Sequence, residues 1–201
     1  MSEQDIGVGP HPKPWPIGVQ YDPDLLEGGD RRNVEDRYRY WTVEAIKTDL
    51  DQVRHDVHIA IENWQHDMNI GTIVRNANAF NVAAVHIIGR RHWNRRGAMV
   101  TDRYLEVFHH PTVMDFVAAI GDRHIVAIDN QAGAVHLSEV VLPEKSVLVF
   151  GGEGPGLSPE MIAASECMVA IEQFGSTRSV NVGVASGIVL YEWVRRHVLT
   201  H

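Results

Sequence analysis

The sequence predicts an α/β protein built on a parallel sheet with helices on both faces. From about residue 58 onward, short runs rich in β-branched residues alternate with helical segments. The runs are almost continuously apolar, which is typical of strands that are buried on both sides. Regular alternation of strand and helix favours parallel pairing. The 201 residues are enough for one such core.

The elements can be placed in chain order. The predicted strands are His58–Trp64, Val82–Ile88, His124–Ile128, Ser146–Phe150 and Cys167–Ile171. The predicted helices are Thr42–Arg54, Ile70–Phe80, Thr112–Ile120, Pro159–Ala164 and the closing helix Val182–Val198. Residues 1–40 are rich in proline, glycine and charge and show no sustained periodicity. We therefore expect an extended, partly flexible N-terminal arm followed by one domain at 41–201.

Composition disfavours several classes of protein. The single cysteine, Cys167, excludes a disulfide framework and a cysteine-rich metal site within the chain. The N-terminus lacks the pattern of a secretory signal, and no apolar run is long enough to cross a bilayer, so we expect a cytoplasmic protein without a membrane partner. Twelve histidines suggest a metal site, but no H-E-x-x-H pattern or carboxylate-rich cluster accompanies them. We therefore expect no metal.

Charge is concentrated in two arginine-rich stretches. The formal net charge is −8, which disfavours non-specific binding to nucleic acid, although a local patch can still contact phosphates. Arg90–Arg96 combines four arginines with a histidine and a tryptophan, and Arg31–Arg39 forms a looser second group. Each stretch is either a contact for phosphates or a solvated surface, and the sequence favours neither.

Three polar segments follow predicted strands, at the edge of the sheet where ligands of open α/β folds bind. The first is Asn69–Phe80. Asn69 is expected to cap the helix with its side chain, and Arg75 follows six residues later. Taken alone, this segment is more typical of a capped amphipathic helix with an exposed arginine than of a functional site.

The second segment is Leu148–Ser158, a buried strand that runs into a glycine-rich turn. Ser158 and the proline after it predict a capped helix start. The turn lacks the Gly-Lys-Ser/Thr end of a phosphate-binding loop and the G-x-G-x-x-G spacing of a dinucleotide site. Glycines let the backbone approach a ligand closely, but they do not account for Glu153 at the centre of the turn.

The third segment is Ile171–Glu192, in which a strand ends in a polar loop and a helix follows. Ser179 or Asn181 is expected to cap that helix. Small residues crowd its first turns, namely Gly183, Ala185, Ser186 and Gly187. They predict close packing against either the sheet or a second subunit.

Together the three segments resemble the SpoU/TrmH family of the SPOUT superfamily of RNA methyltransferases. The family pattern N-x-G-x-x-x-R is matched by Asn69, Gly71 and Arg75. The pattern G-x-E-x-x-G-L is matched by Gly151, Glu153, Gly156 and Leu157. The pattern S-[LV]-N-V-x-V-A-x-G is matched by Ser179, Val180, Asn181, Val182, Val184, Ala185 and Gly187. The resemblance covers about residues 58–199, and it departs at Glu172, where the family usually has a proline.

The resemblance implies a parallel-sheet α/β knot, the SPOUT fold, with a deep trefoil knot near the C-terminus. It implies S-adenosylmethionine-dependent methylation of a ribose 2′-OH in RNA. Transfer RNA is the first choice of substrate, with a guanosine of the D-loop as a candidate nucleotide, and ribosomal RNA is the second. The resemblance also implies a homodimer whose active site is completed across the interface.

The resemblance further assigns roles to individual residues. Ile128, Gly151, Ile171 and Val180 would bind the cofactor, mostly through backbone groups and apolar contacts. Arg75 would activate the ribose hydroxyl, with Asn69, Glu153, Ser179 and Asn181 orienting the reacting groups. Because a guanidinium stays protonated, Arg75 is a poor base without assistance, and polarising the hydroxyl is the alternative role.

Two functions of other kinds remain. A knotted RNA-binding or chaperone protein with little catalysis would explain the acidic balance and Glu172, and it differs from the enzyme in having no need to bind S-adenosylmethionine. A nicotinamide-dependent enzyme is disfavoured, since the early glycine fingerprint of a dinucleotide site is missing.

Overall fold

A computed structural model of the chain describes residues 7–64, 69–152 and 156–199. Its centre is a seven-stranded sheet with the order β3-β2-β1-β6-β4-β7-β5, in which every pairing is parallel. The strands are β1 His55–Asn63, β2 Val82–Gly89, β3 Val107–His110, β4 His124–Ile128, β5 Val135–His136, β6 Ser146–Phe150 and β7 Cys167–Ala170. The α-helices are α1 Pro23–Gly28, α2 Val43–Asp51, α3 Ile70–Ala79, α4 Val113–Ala119, α5 Pro159–Ala164 and α6 Val182–His197.

Helices cover both faces of the sheet, as the continuous apolar strands predict. Alternate residues of β1 point to opposite sides. Ile59 and Ile61 belong to a core cluster shared with α3 and α6, whereas Ala60 belongs to a second cluster with Phe116 of α4 and Met161 of α5. Two separate apolar layers therefore hold the sheet.

The sequence did not predict strands β3 and β5. In β3, an edge strand, only His110 is buried, and both residues of the two-residue β5 are exposed. Neither gives the apolar run by which the other strands were predicted. The five predicted strands and five predicted helices are all present, with ends that differ by at most three residues.

The segment before residue 41 contains short helices that periodicity did not predict. Besides α1, a 3-10 turn spans Asp36–Tyr38. Asp30 is fully buried and forms an ion pair with Arg32 at 2.7 Å, while the Tyr40 amide donates to the same carboxylate. Burial raises the pKa of Asp30, but the hydrogen bonds from Arg32 and Tyr40 outweigh it and lower the pKa to about 2. Buried polar contacts, together with the packing of Tyr38 against Ile46 and Tyr104, hold this segment.

Candidate functional site

The second and third polar segments line one cavity at the carboxyl edge of the sheet, and Asn69 of the first segment is hydrogen-bonded to its wall through Asn181. The cavity has a volume of about 570 Å³ and lies beyond the ends of β4, β6 and β7. Its walls include Ile128, Gly151, Ile171, Val180, Ser179 and Asn181. The four residues that the family resemblance assigns to cofactor binding therefore all face the same space, together with two of those assigned to catalysis.

Asn181 joins the first segment to the third. Its Oδ1 accepts hydrogen bonds from the backbone amides of Gly183 and Val184, at 2.9 and 3.3 Å, so Asn181 caps α6 as predicted. Its Nδ2 donates to Oδ1 of Asn69 at 2.9 Å. The prediction that the Asn69 side chain caps α3 is wrong, because that side chain makes no capping bond and turns toward Asn181 instead.

Arg75 is exposed on α3 and, among the described residues, is not part of the cavity wall. The next residue fixes its helix: Asn76 Nδ2 donates to the carbonyl of Gly183 at 2.8 Å and to the hydroxyl of Ser186 at 2.9 Å. Glu153 lies outside the described residues.

The small residues of α6 allow α3 to pack closely beside it. A Cβ atom on Gly183 would lie 2.8 Å from Thr72 Cγ2, and one on Gly187 would lie 3.4 Å from Asn76 Nδ2. The sequence predicted that these small residues pack against the sheet or a second subunit. Gly183 instead packs against α3 of the same chain. The contact sets the position of the helix that carries Arg75.

The two described ends of the glycine turn, defined as Gly151–Leu157, lie against each other. A Cβ on Gly151 would lie 2.2 Å from the carbonyl carbon of Gly156, so only glycine fits there. Gly156 has a φ of 68°, in the left-handed region that favours glycine. After the turn, Ser158 caps α5 by accepting from the Met161 amide at 3.2 Å, which confirms the predicted helix start.

Two carboxylates contact the end of this turn, and sequence reasoning did not assign a role to either. Glu62 is fully buried at the end of β1 and accepts hydrogen bonds from the Ser158 amide and hydroxyl, both at 2.6 Å. Asp129, which directly follows β4, accepts from the Leu157 amide at 3.1 Å. The available signal for Glu62 was a carboxylate directly after the apolar run Ile59–Ile61.

Glu172, which replaces the usual proline of the family, braces its loop in a different way. Its carboxylate accepts hydrogen bonds from the Ser138 amide, at 3.1 Å, and from the Ser138 hydroxyl. The bond from that hydroxyl is the main reason that the pKa of Glu172 is lowered. Glu172 thus ties its loop to the segment after β5. Its two neighbours in that loop, Ile171 and Gln173, both line the cavity.

Gln173 presents an unsatisfied acceptor beside the cavity. Its Oε1 atom is buried and has no hydrogen-bond donor among the described residues. A buried amide oxygen without a partner costs about 1–3 kcal/mol, and a bound donor would remove that cost.

The basic loop, residues 90–96, is anchored beside the start of α3. Asn63 Nδ2 donates to the carbonyls of Arg90 and His92, at 2.7 and 3.0 Å. A Cβ on Gly71 would lie 2.8 Å from Gly97 Cα, so α3 and the chain after the loop are in direct backbone contact. The guanidinium groups that project from this framework are exposed at Arg90, Arg91, Arg95 and Arg96.

Three histidines form a hydrogen-bonded chain across β1, β2 and β3. His58 Nδ1 lies 2.9 Å from His86 Nε2, and His86 Nδ1 lies 2.9 Å from His110 Nε2. Burial lowers the pKa of His58 to about 4 and that of His86 to about 3, so both rings are neutral at pH 7. No cluster suited to a metal ion occurs within the described parts of the chain. In the same residues, no helix is long and apolar enough to cross a membrane.

Relatives of known activity are similar to most of this chain. The tRNA (guanosine(18)-2′-O)-methyltransferase of Escherichia coli K12 is 27% identical over 146 residues, which cover 70% of this chain and 64% of the relative. The enzyme of the same name from Aquifex aeolicus is 26% identical over 160 residues, covering 77% of this chain and 76% of the relative. The chain thus matches less than two thirds of the length of the E. coli protein.

Solved structures show the same fold. The TrmH/SpoU tRNA modifying enzyme of A. aeolicus superposes with a TM-score of 0.67 at 24% identity, covering 77% of this chain and 81% of that one. The SpoU methyltransferase AviRb of Streptomyces viridochromogenes, in complex with AdoMet, gives a TM-score of 0.63 at 26% identity, covering 75% and 64%. The model of the SpoU rRNA methylase family matches residues 56–191, which contain the first two polar segments and all but the last residue of the third. The chain therefore belongs to the SpoU rRNA methylase family.

Proposed function

We propose that this protein transfers a methyl group from S-adenosylmethionine to a ribose 2′-OH of transfer RNA. The observation that carries the proposal is the cavity lined by the second and third family segments, whose wall residue Asn181 is hydrogen-bonded to Asn69 of the first segment. The tRNA (guanosine(18)-2′-O)-methyltransferases of E. coli and A. aeolicus support the choice of tRNA as substrate. The proposed target in this protein's substrate is a guanosine of the D-loop. Such an activity belongs in the cytoplasm.

The residues of the cavity fit the cofactor. Apolar side chains from Ile128, Ile171 and Val180 offer surfaces for a flat base. The unsatisfied Oε1 of Gln173 requires a donor, and the adenine amine, ribose hydroxyls and ammonium group of S-adenosylmethionine all supply one. When bound, the cofactor supplies an electrophilic methyl group on a sulfonium.

The chain's own residues would contribute by positioning the ribose and by supplying positive charge. The guanidinium of Arg75 would pair with a substrate phosphate and polarise the 2′-OH, since it remains protonated and cannot act as a simple base. The Asn69–Asn181 hydrogen bond holds the start of α3 against the start of α6. Ser179 and Glu153 complete the proposed set that orients the ribose. The exposed arginines of residues 90–96 would bind the RNA backbone.

We propose that the protein is a homodimer. The outer face of α6 exposes Val184, Ile188 and Tyr191, with 54, 39 and 54% of their surface accessible. These residues line a groove that α3 shares through Thr72 and Asn76. A second copy covering this face would bring another RNA-binding surface close to α3. We also propose that the loops around the cavity form a deep trefoil knot.

The test of function is a map of 2′-O-methyl sites in RNA from a strain that lacks the gene, compared with its parent by mass spectrometry. The proposal predicts that one ribose methylation is lost from tRNA and returns with the wild-type gene, but not with Arg75→Ala. Loss from ribosomal RNA instead would favour the second candidate, which the family description supports. An unchanged methylation map together with an absence of S-adenosylmethionine binding would indicate an RNA chaperone.

A further inference from the structure

The glycine turn follows the central strand of the site. In the sheet, β6 lies between β1 and β4, so the ends of these two strands flank the turn that leaves β6. Each neighbouring strand brings a carboxylate to this place: Glu62 lies within β1, and Asp129 directly follows β4. The two acidic side chains therefore approach the turn from opposite sides.

The two carboxylates bind consecutive backbone amides. The Leu157 amide donates to Oδ2 of Asp129 at 3.1 Å, and the Ser158 amide donates to Oε2 of Glu62 at 2.6 Å. The Ser158 hydroxyl adds a bond to Oε1 of Glu62 at 2.6 Å. Three hydrogen bonds to two acidic side chains therefore hold the end of the turn.

The cavity wall depends on where this turn lies. Gly151, Gly152 and Gly156 all line the cavity. Asp129 also fixes the approach of Gly156, since a Cβ there would lie 2.6 Å from Asp129 Oδ2. A displacement at Leu157 would therefore move the backbone that faces the cavity.

Glu62 reaches the first polar segment as well. Its Oε1 accepts from the indole Nε1 of Trp64 at 3.1 Å, at the start of the connection that leads from β1 to Asn69. Packing does not account for a fully buried carboxylate directly after the apolar run Ile59–Ile61, and burying it is costly unless its oxygens are satisfied. All three of these bonds go to the chain segments that flank the site.

We propose that Glu62 and Asp129 are positioning residues that clamp the glycine turn and thereby set the affinity for S-adenosylmethionine. Neither carboxylate is proposed to take part in methyl transfer. The link to the cofactor rests on the proposed function, whereas the clamp itself does not.

The experiment compares Glu62→Gln and Asp129→Asn with wild type in the full-length chain. Glu160→Gln is the matched control, because Glu160 is an exposed carboxylate in the first turn of α5, two residues beyond Ser158. Amide hydrogen exchange followed by NMR measures how firmly the Leu157 and Ser158 amides are held. Calorimetry measures the affinity for S-adenosylmethionine. We expect the amides of Leu157 and Ser158 to exchange at least tenfold faster in the two clamp variants, with no change in central β1 and β6.

We also expect the dissociation constant for S-adenosylmethionine to rise at least fivefold in both clamp variants and to stay within twofold in the control. Faster exchange throughout the sheet would indicate general destabilisation and overturn the positioning role, as would unchanged exchange at Leu157 and Ser158. Faster local exchange with unchanged affinity would overturn the link to the cofactor. Wild-type protein that does not bind S-adenosylmethionine would refute the proposed function, while the exchange rates would still decide the clamp.

Discussion

Acid should destabilise this protein through the buried histidine chain. His86 is 4% exposed, contacts His58 and His110 through its ring nitrogens, and packs against Phe108 and Phe116. Burial is the main cause of its low pKa of about 3, and the charges of His58, His110 and Arg123 lower it further. In an unfolded chain the same ring has a pKa near 6.5.

The sign of the effect follows from these two values. Below pH 6.5 the unfolded chain binds a proton that the folded protein refuses until the pH approaches 3, so stability is present at neutral pH and falls as the pH falls. At pH 5 the unfolded state gains about 2 kcal/mol from protonating His86 alone. The loss should therefore begin near pH 6.5 and steepen toward pH 4.

The assay is urea unfolding, followed by tryptophan fluorescence, at pH 7.5 and pH 5.0. His86→Gln is the comparison, because glutamine keeps a donor and an acceptor but does not titrate. Wild type should lose about 2 kcal/mol more than the variant between the two pH values. Parallel losses within about 0.5 kcal/mol would show that His86 is not held neutral by the fold.

Three further substitutions probe the site. Arg75→Ala should lower methylation by at least a hundredfold and leave S-adenosylmethionine affinity within twofold by calorimetry; loss of both would indicate a structural role. Gln173→Met should weaken cofactor binding about tenfold, because a hydrogen-bond donor of the cofactor would lose its acceptor, whereas an unchanged affinity would show that Gln173 does not contact the cofactor. Gly71→Ala should lower the free energy of unfolding by about 1–3 kcal/mol, since the new Cβ would lie 2.8 Å from Gly97 Cα, and an unchanged melting temperature would contradict that contact.

Elements with a strong local signal were predictable from sequence. Strand β6 is five consecutive buried residues, and α5 starts with a serine cap and a proline. Both features are decided by neighbours in the chain. Strand β5 is different, because its two exposed residues become a strand only by pairing with β7, which lies more than thirty positions away.

In the site, too, features decided by neighbours in the chain were predictable, and contacts between remote residues were not. Family motifs indicate which residues gather around the cavity, and Asn181 caps its helix through bonds to amides two and three positions on. The hydrogen-bond partners that Asn69 and Glu62 find in the folded protein could not be predicted from sequence, because they lie 112 and 96 positions away along the chain. Glu172, where the sequence departs from the family pattern, illustrates the point further, because its hydrogen-bond partner Ser138 is also remote in sequence.

The most direct test of the account is methyl transfer by the purified protein to unmodified tRNA. With S-adenosylmethionine carrying a labelled methyl group, we expect incorporation to approach one methyl per tRNA. Nuclease digestion and mass spectrometry should then recover the label as a single 2′-O-methyl nucleoside. Label on a base instead of a ribose, or no incorporation into tRNA by protein that binds the cofactor, would contradict the account.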